Sequence, residues 1–154
     1  MRPNGDQLAR PILAALWLCW AQGLYFLVTG VWPLVSVESF QRVTGPKSDH
    51  LIADAPTQAD HWMLNTISGL IIAISLVLLT AAWRRRLSLE VGLLGALSAA
   101  ALATIDIVYV GRGTIQPIYL ADAVVEAGII AAWGWIAWRG ARRDEASGPS
   151  GGVT

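Results

Sequence analysis

From 11 to 35 the chain runs for 25 residues without a charged side chain. Coiled as an α-helix at about 1.5 Å per residue, that stretch exceeds the roughly 30 Å of hydrocarbon in a bilayer. A soluble domain has nowhere to hide so much uninterrupted apolar surface. The interval 62–83 repeats the pattern over 22 residues. Two further intervals, 91–111 and 117–138, are as apolar but carry acids: Asp106 in the first, Asp122 and Glu126 in the second. The fold class expected is all-α, an integral membrane four-helix transmembrane bundle.

Composition agrees with this reading. The chain is 55% hydrophobic and only 14% charged, a balance far from that of an ordinary soluble domain. Eleven basic and eleven acidic side chains cancel, so nucleic acid is not an expected partner. The expected partners are the lipid bilayer itself and a membrane protein or second copy of the chain. The single cysteine, Cys19, lies within the first apolar stretch and reads as a small apolar core residue.

Arg2 and Arg10 precede the first stretch, as in a secretory signal. An apolar signal core is only about 7 to 15 residues long and ends at small residues, whereas this one continues through Trp32, Pro33 and Leu34. A retained helix is expected.

Lys and Arg set orientation, because cytoplasmic flanks keep an excess of them. Eight of the eleven (Arg2, Arg10, Arg84, Arg85, Arg86, Arg139, Arg142 and Arg143) fall on one side of a four-span arrangement, and Arg42, Lys47 and Arg112 on the other. Both termini are therefore expected in the cytoplasm, with the chain in a cell inner (plasma) membrane. Trp32, Trp62, Trp83 and Trp138 stand at span ends, where an amphipathic ring favours the interface. The organisation expected is a terminus at 1–10, a membrane domain at 11–143 with an external loop at 36–61, and a Gly- and Ser-rich disordered tail at 144–154.

Lipid gives helices no hydrophobic reason to associate, so close backbone approach at small residues must supply the contact. Gly92, Ala96 and Ala100 recur every fourth residue, as do Gly95, Ala99 and Ala103, with Ala123, Ala127 and Ala131 in the last span. Since only 112–116 separate the last two spans, these form an antiparallel pair.

Chemistry concentrates in the acids. Inserting an ionised carboxylate costs at least about 2.5 to 3.5 kcal/mol, so such a group needs a reason to be there. Asp122 and Glu126, four apart, share a helix face. Asp106 lies six residues before Arg112, which puts it and Asp122 about 8 to 9 Å below the outer edge and Glu126 about 13 to 14 Å. Asn65, Tyr109, Tyr119 and His61 fall at similar depths, and Gln22 deeper. These residues are expected to line a polar pocket that opens outward beneath the 36–61 loop. Asp106, Asp122, Glu126, Asn65, Tyr109, Tyr119 and Arg112 are the candidate ligand- or ion-binding residues.

Two readings of the acids stay open, with a membrane enzyme acting on lipid or quinone as a third that would need a cofactor or substrate bound at the pocket. In one, the pocket binds a proton, a cation or a small polar ligand. In the other, Arg112, Arg42 or Lys47 pairs with the acids in a salt-bridge lock, and the chain is an accessory or assembly subunit of a membrane complex. No paired-Cys or HxxxH spacing supports a metal site around His61, and no G-x-S-x-G, Gly-rich phosphate loop or Cys/His pairing points to catalysis. No catalytic residue and no metal ligand is assigned, and no cofactor is specified.

The segments Ser39-Phe40-Gln41-Arg42-Val43-Thr44-Gly45-Pro46-Lys47 and Tyr119-Leu120-Ala121-Asp122-Ala123-Val124-Val125-Glu126 resemble those of small bacterial membrane proteins of uncharacterised function. In its four short-looped spans the chain is also similar to the DoxX-like group, small proteins found as subunits of membrane redox complexes. That resemblance implies a four-helix bundle in a bacterial inner membrane and carries no site residue with it.

Overall fold

The computed structural model describes residues 5–44 and 58–146, and every described element is helical. Five helices follow in order: α1 Gly5–Val35, α2 Val37–Thr44, α3 Gln58–Trp83, α4 Leu89–Gly111 and α5 Tyr119–Ala146. Four of them contain segments long and apolar enough to cross a membrane, Ile12–Val35, Trp62–Trp83, Leu89–Gly111 and Tyr119–Arg142. Their outer surfaces stay apolar, with Trp17, Val28, Leu70, Leu97 and Val124 all exposed. Such large exposed apolar area on every long helix is what a lipid-facing bundle presents.

Two helix pairs make up the bundle. In the α1–α3 pair glycine permits the approach: a Cβ on Gly23 would lie 2.8 Å from the Leu79 side chain, and one on Gly30 would lie 2.9 Å from Ile72 and 3.1 Å from the Ser68 carbonyl oxygen. Buried Ser75 donates its hydroxyl to the Gly23 carbonyl at 2.8 Å, so the close contact also carries a polar tie. The α4–α5 pair packs along Gly95, Ala99, Ala103 and Asp106 on one side and Ala123, Glu126, Ile129 and Trp133 on the other, all buried. Contacts between α1 and α5 join the pairs, and α3 meets α4 more briefly.

The small-residue ladder of α4 packs as expected, through Gly95, Ala99 and Ala103. That of α5 does not: Ala123 is buried, but Ala127 and Ala131 are exposed. Steps of four residues rotate around a 3.6-residue helix, and the packed face follows 123, 126, 129 and 133 instead.

Within the 36–61 interval the chain forms a helix rather than a plain loop. Pro33 cannot donate to the α1 ladder, and the chain breaks at Ser36. The Ser36 hydroxyl then accepts from the Ser39 backbone N–H at 3.3 Å, capping α2. Phe40 is buried and meets Trp32 edge-on at 5.7 Å between centroids, while Glu38 and Arg42 face outward. Helix α2 thus folds back on the end of α1 as a short amphipathic piece. Lys47, His50 and the rest of 45–57 lie outside the described residues, as do 147–154; α5 itself continues to Ala146, into the stretch expected as tail.

The apolar core gathers at the arginine-rich end of the bundle. Ala15, Cys19, Leu78, Ala82, Ala99, Ile129 and Trp133 form one buried cluster. Cys19 is fully buried there, in the apolar role its position implies.

Candidate functional site

A buried polar junction stands beside that core. Trp133 donates its indole N–H to the Gln22 side-chain oxygen at 2.9 Å, and the Gln22 amide donates to the Gly95 carbonyl at 2.8 Å. Three helices, α1, α4 and α5, are pinned by two hydrogen bonds. Only glycine fits at 95: a Cβ there would come within 2.6 Å of the Trp133 ring nitrogen and 2.9 Å of the Gln22 oxygen. The sequence marks Gln22 only as a deep polar group and gives no sign of Trp133, since nothing in a sequence pairs one with the other.

The junction also sets register. Gly95 faces Trp133, and antiparallel helices advance in opposite directions, so moving eleven residues along both brings Asp106 level with Asp122 and leaves Glu126 near Ala103. The acids therefore meet on the inner face of the α4–α5 pair, at the end away from the Arg84–Arg86 turn. Asp106 and Glu126 are buried, whereas Asp122 and Tyr119 are half-buried on the same face. Asp122 and Asp106 both lie close enough to Glu126 to act on it electrostatically.

Glu126 stands apart from its neighbours. Its side chain is 0% exposed, and neither carboxyl oxygen finds a hydrogen-bond partner among the described residues. Buried polar groups nearly always have partners, and a lone ionised carboxylate in such a place costs several kcal/mol. An ionised Glu126 would need its charge offset by a group not among these neighbours. Among the described residues no three His, Cys, Asp or Glu side chains converge as metal ligands. The cluster is three acids on the facing sides of α4 and α5.

The remaining candidates lie at the surface. Asn65 is exposed on α3. Tyr109 is also exposed, and Arg112 rests its guanidinium 5.8 Å from the Tyr109 ring centroid at the mouth of the hairpin. Arg112 is itself exposed, as is Arg42 on α2. His61 and Lys47 fall outside the residues whose side chains are described. Of the seven candidates, the fold brings together Asp106, Asp122 and Glu126, with Tyr119 on the same face of α5.

The class so defined is a helical protein with four helices built to cross a membrane and an acid cluster inside one end of the bundle. The chain matches no protein-family model, no curated protein and no solved structure.

Proposed function

We propose that this is a multi-pass protein of a cell inner membrane, with both termini in the cytoplasm, whose Asp106–Asp122–Glu126 cluster takes up and releases a proton or a loosely held cation. The burial of Glu126 without a hydrogen-bond partner among the described residues carries this reading. A carboxyl kept at that cost inside a bundle is the usual mark of a proton or ion site. The gathering of Asp106, Asp122 and Glu126 at one end supports uptake of a proton or a cation, and a small polar ligand would have to bring hydrogen bonds of its own. The excess of arginine at the opposite end supports the orientation, which places the acids in the outer half of the bilayer. The sequence carries no G-x-S-x-G, Gly-rich phosphate loop or Cys/His pairing, which supports a binding role over an enzymatic one.

The test compares the parent with Glu126→Gln and Asp122→Asn in liposomes, following the infrared band of the protonated carboxyl group as pH is changed. Glu126→Gln should abolish a titrating band without unfolding the bundle. A parent protein with no titrating carboxyl band, or a Glu126→Gln protein with the same titration as the parent, would exclude the proposal. Loss of helicity and thermal stability in both variants, with the titration unchanged in whatever remains folded, would instead favour the accessory-subunit reading in which the acids only hold helices together.

A further inference from the structure

At the opposite end of the bundle the turn from α3 to α4 is built from Arg84, Arg85 and Arg86. The Arg86 N–H reaches back to the Ala81 carbonyl at 3.0 Å and the Arg85 N–H to that of Ala82 at 3.1 Å, a closing pattern in which the helix ends on a left-handed residue. That residue is Arg85, with φ of 50°, in a position that favours glycine. Cations near a helix C-terminus are generally favourable, which accounts for arginines in this turn. It does not account for placing one in the left-handed position, where any Cβ is strained.

The direction of the side chains supplies a reason. Arg85 lines a groove of about 470 Å³ between α1 and α3, together with Leu13, Leu16, Trp17, Trp20 and Leu24. Arg84 and Arg86 line a second groove, of about 380 Å³, between α3 and α4. From Leu13 to Leu24 the first groove follows eleven residues of α1, about 16 to 17 Å, which is the depth of one leaflet's hydrocarbon. It is apolar along that length and cationic at the arginine-rich end. Between Trp83 and Val91, three arginines face a single acid, Glu90.

We propose that the α1–α3 groove is a binding site for an anionic phospholipid of the leaflet at the arginine-rich end, with the headgroup phosphate on Arg85 and an acyl chain along Leu13, Trp17, Trp20 and Leu24. Arg84 and Arg86 add positive charge beside the headgroup. The guanidinium fork matches phosphate oxygens, and the groove supplies the apolar contact that a free anion lacks. This site is independent of the acid cluster at the other end.

The purified full-length protein, stripped of lipid and titrated with phosphatidylglycerol or phosphatidylcholine, tests it by native mass spectrometry. Phosphatidylglycerol should be retained at several-fold lower concentration. Arg85→Gly relieves the backbone strain, so it should remain folded by circular dichroism while retaining the anionic lipid about fivefold to tenfold less well. Arg139→Gln, which removes a cation stacked 4.2 Å above Trp135 instead, should leave retention unchanged. Equal retention of the two headgroups, unaltered retention in Arg85→Gly, or an equal loss in Arg139→Gln would each overturn the site. So would displacement of the lipid by an equimolar amount of inorganic phosphate, since the acyl groove would then contribute nothing.

Discussion

Gly95 shows how one missing side chain organises this protein. With no Cβ, it lets the Trp133 ring and the Gln22 amide meet against α4, and its own carbonyl accepts one of the two bonds that result. Gly95→Ala should therefore lower stability by about 1 to 3 kcal/mol, because the ring must shift and both hydrogen bonds lengthen. Gly69→Ala meets open space and should change stability by less than about 0.5 kcal/mol. Thermal unfolding of the two variants in one detergent makes the comparison, and equal effects would deny the junction its structural role. Trp133→Phe keeps much of the ring but loses the donor, leaving the Gln22 oxygen without its bond from the indole. A cost of about 0.5 to 1.5 kcal/mol is expected, toward the upper values seen for hydrogen bonds between membrane helices.

Among the helices, α1 and α3 depend on two glycines of unequal tolerance. At Gly23 an added methyl would press on the Leu79 side chain, which has rotamers to move through; at Gly30 it would meet the Ser68 backbone carbonyl as well as Ile72. Backbone cannot yield as a side chain can. Gly30→Ala should thus destabilise the α1–α3 pair by more than Gly23→Ala, read as the larger drop in unfolding temperature, and the reverse order would contradict the packing described. Helix α2 rests on smaller contacts, chiefly Phe40 on Trp32 and the bond from the Trp32 indole N–H to the Ser39 hydroxyl at 2.9 Å. Phe40→Ala should free α2 to protease at Arg42 while leaving the four long helices intact by circular dichroism.

The whole molecule divides along its length. One end holds the apolar cluster around Cys19, Leu78 and Trp133 and is rimmed by arginines; the other encloses Asp106, Asp122 and Glu126. With the arginine-rich end in the cytoplasm, a reporter fused after Arg143 should score as internal, and an external signal would reverse the orientation. The two ends should also respond separately: Glu126→Gln should leave lipid retention unaltered, and Arg85→Gly should leave the carboxyl titration unaltered.

By itself the sequence determined the long helices, because a charge-free run has few other solutions in or out of lipid. Trp62–Trp83 and the ends at Val35, Trp83 and Gly111 are as read from charge and length, and α5 begins at Tyr119, two residues after Pro117. It also located three acids on facing helices, since helical spacing and a short link leave little freedom. It could not reveal α2, whose eight residues carry too short a periodic signal beside the Gly45-Pro46 turn. Nor could it choose which small residues of α5 pack, pair Gln22 with Trp133 across 111 positions, or leave Asn65 exposed. Those outcomes depend on the rotation of each helix about its own axis. That angle is decided by neighbours, and the tertiary structure turned Glu126 fully inward while leaving Arg112 at the rim.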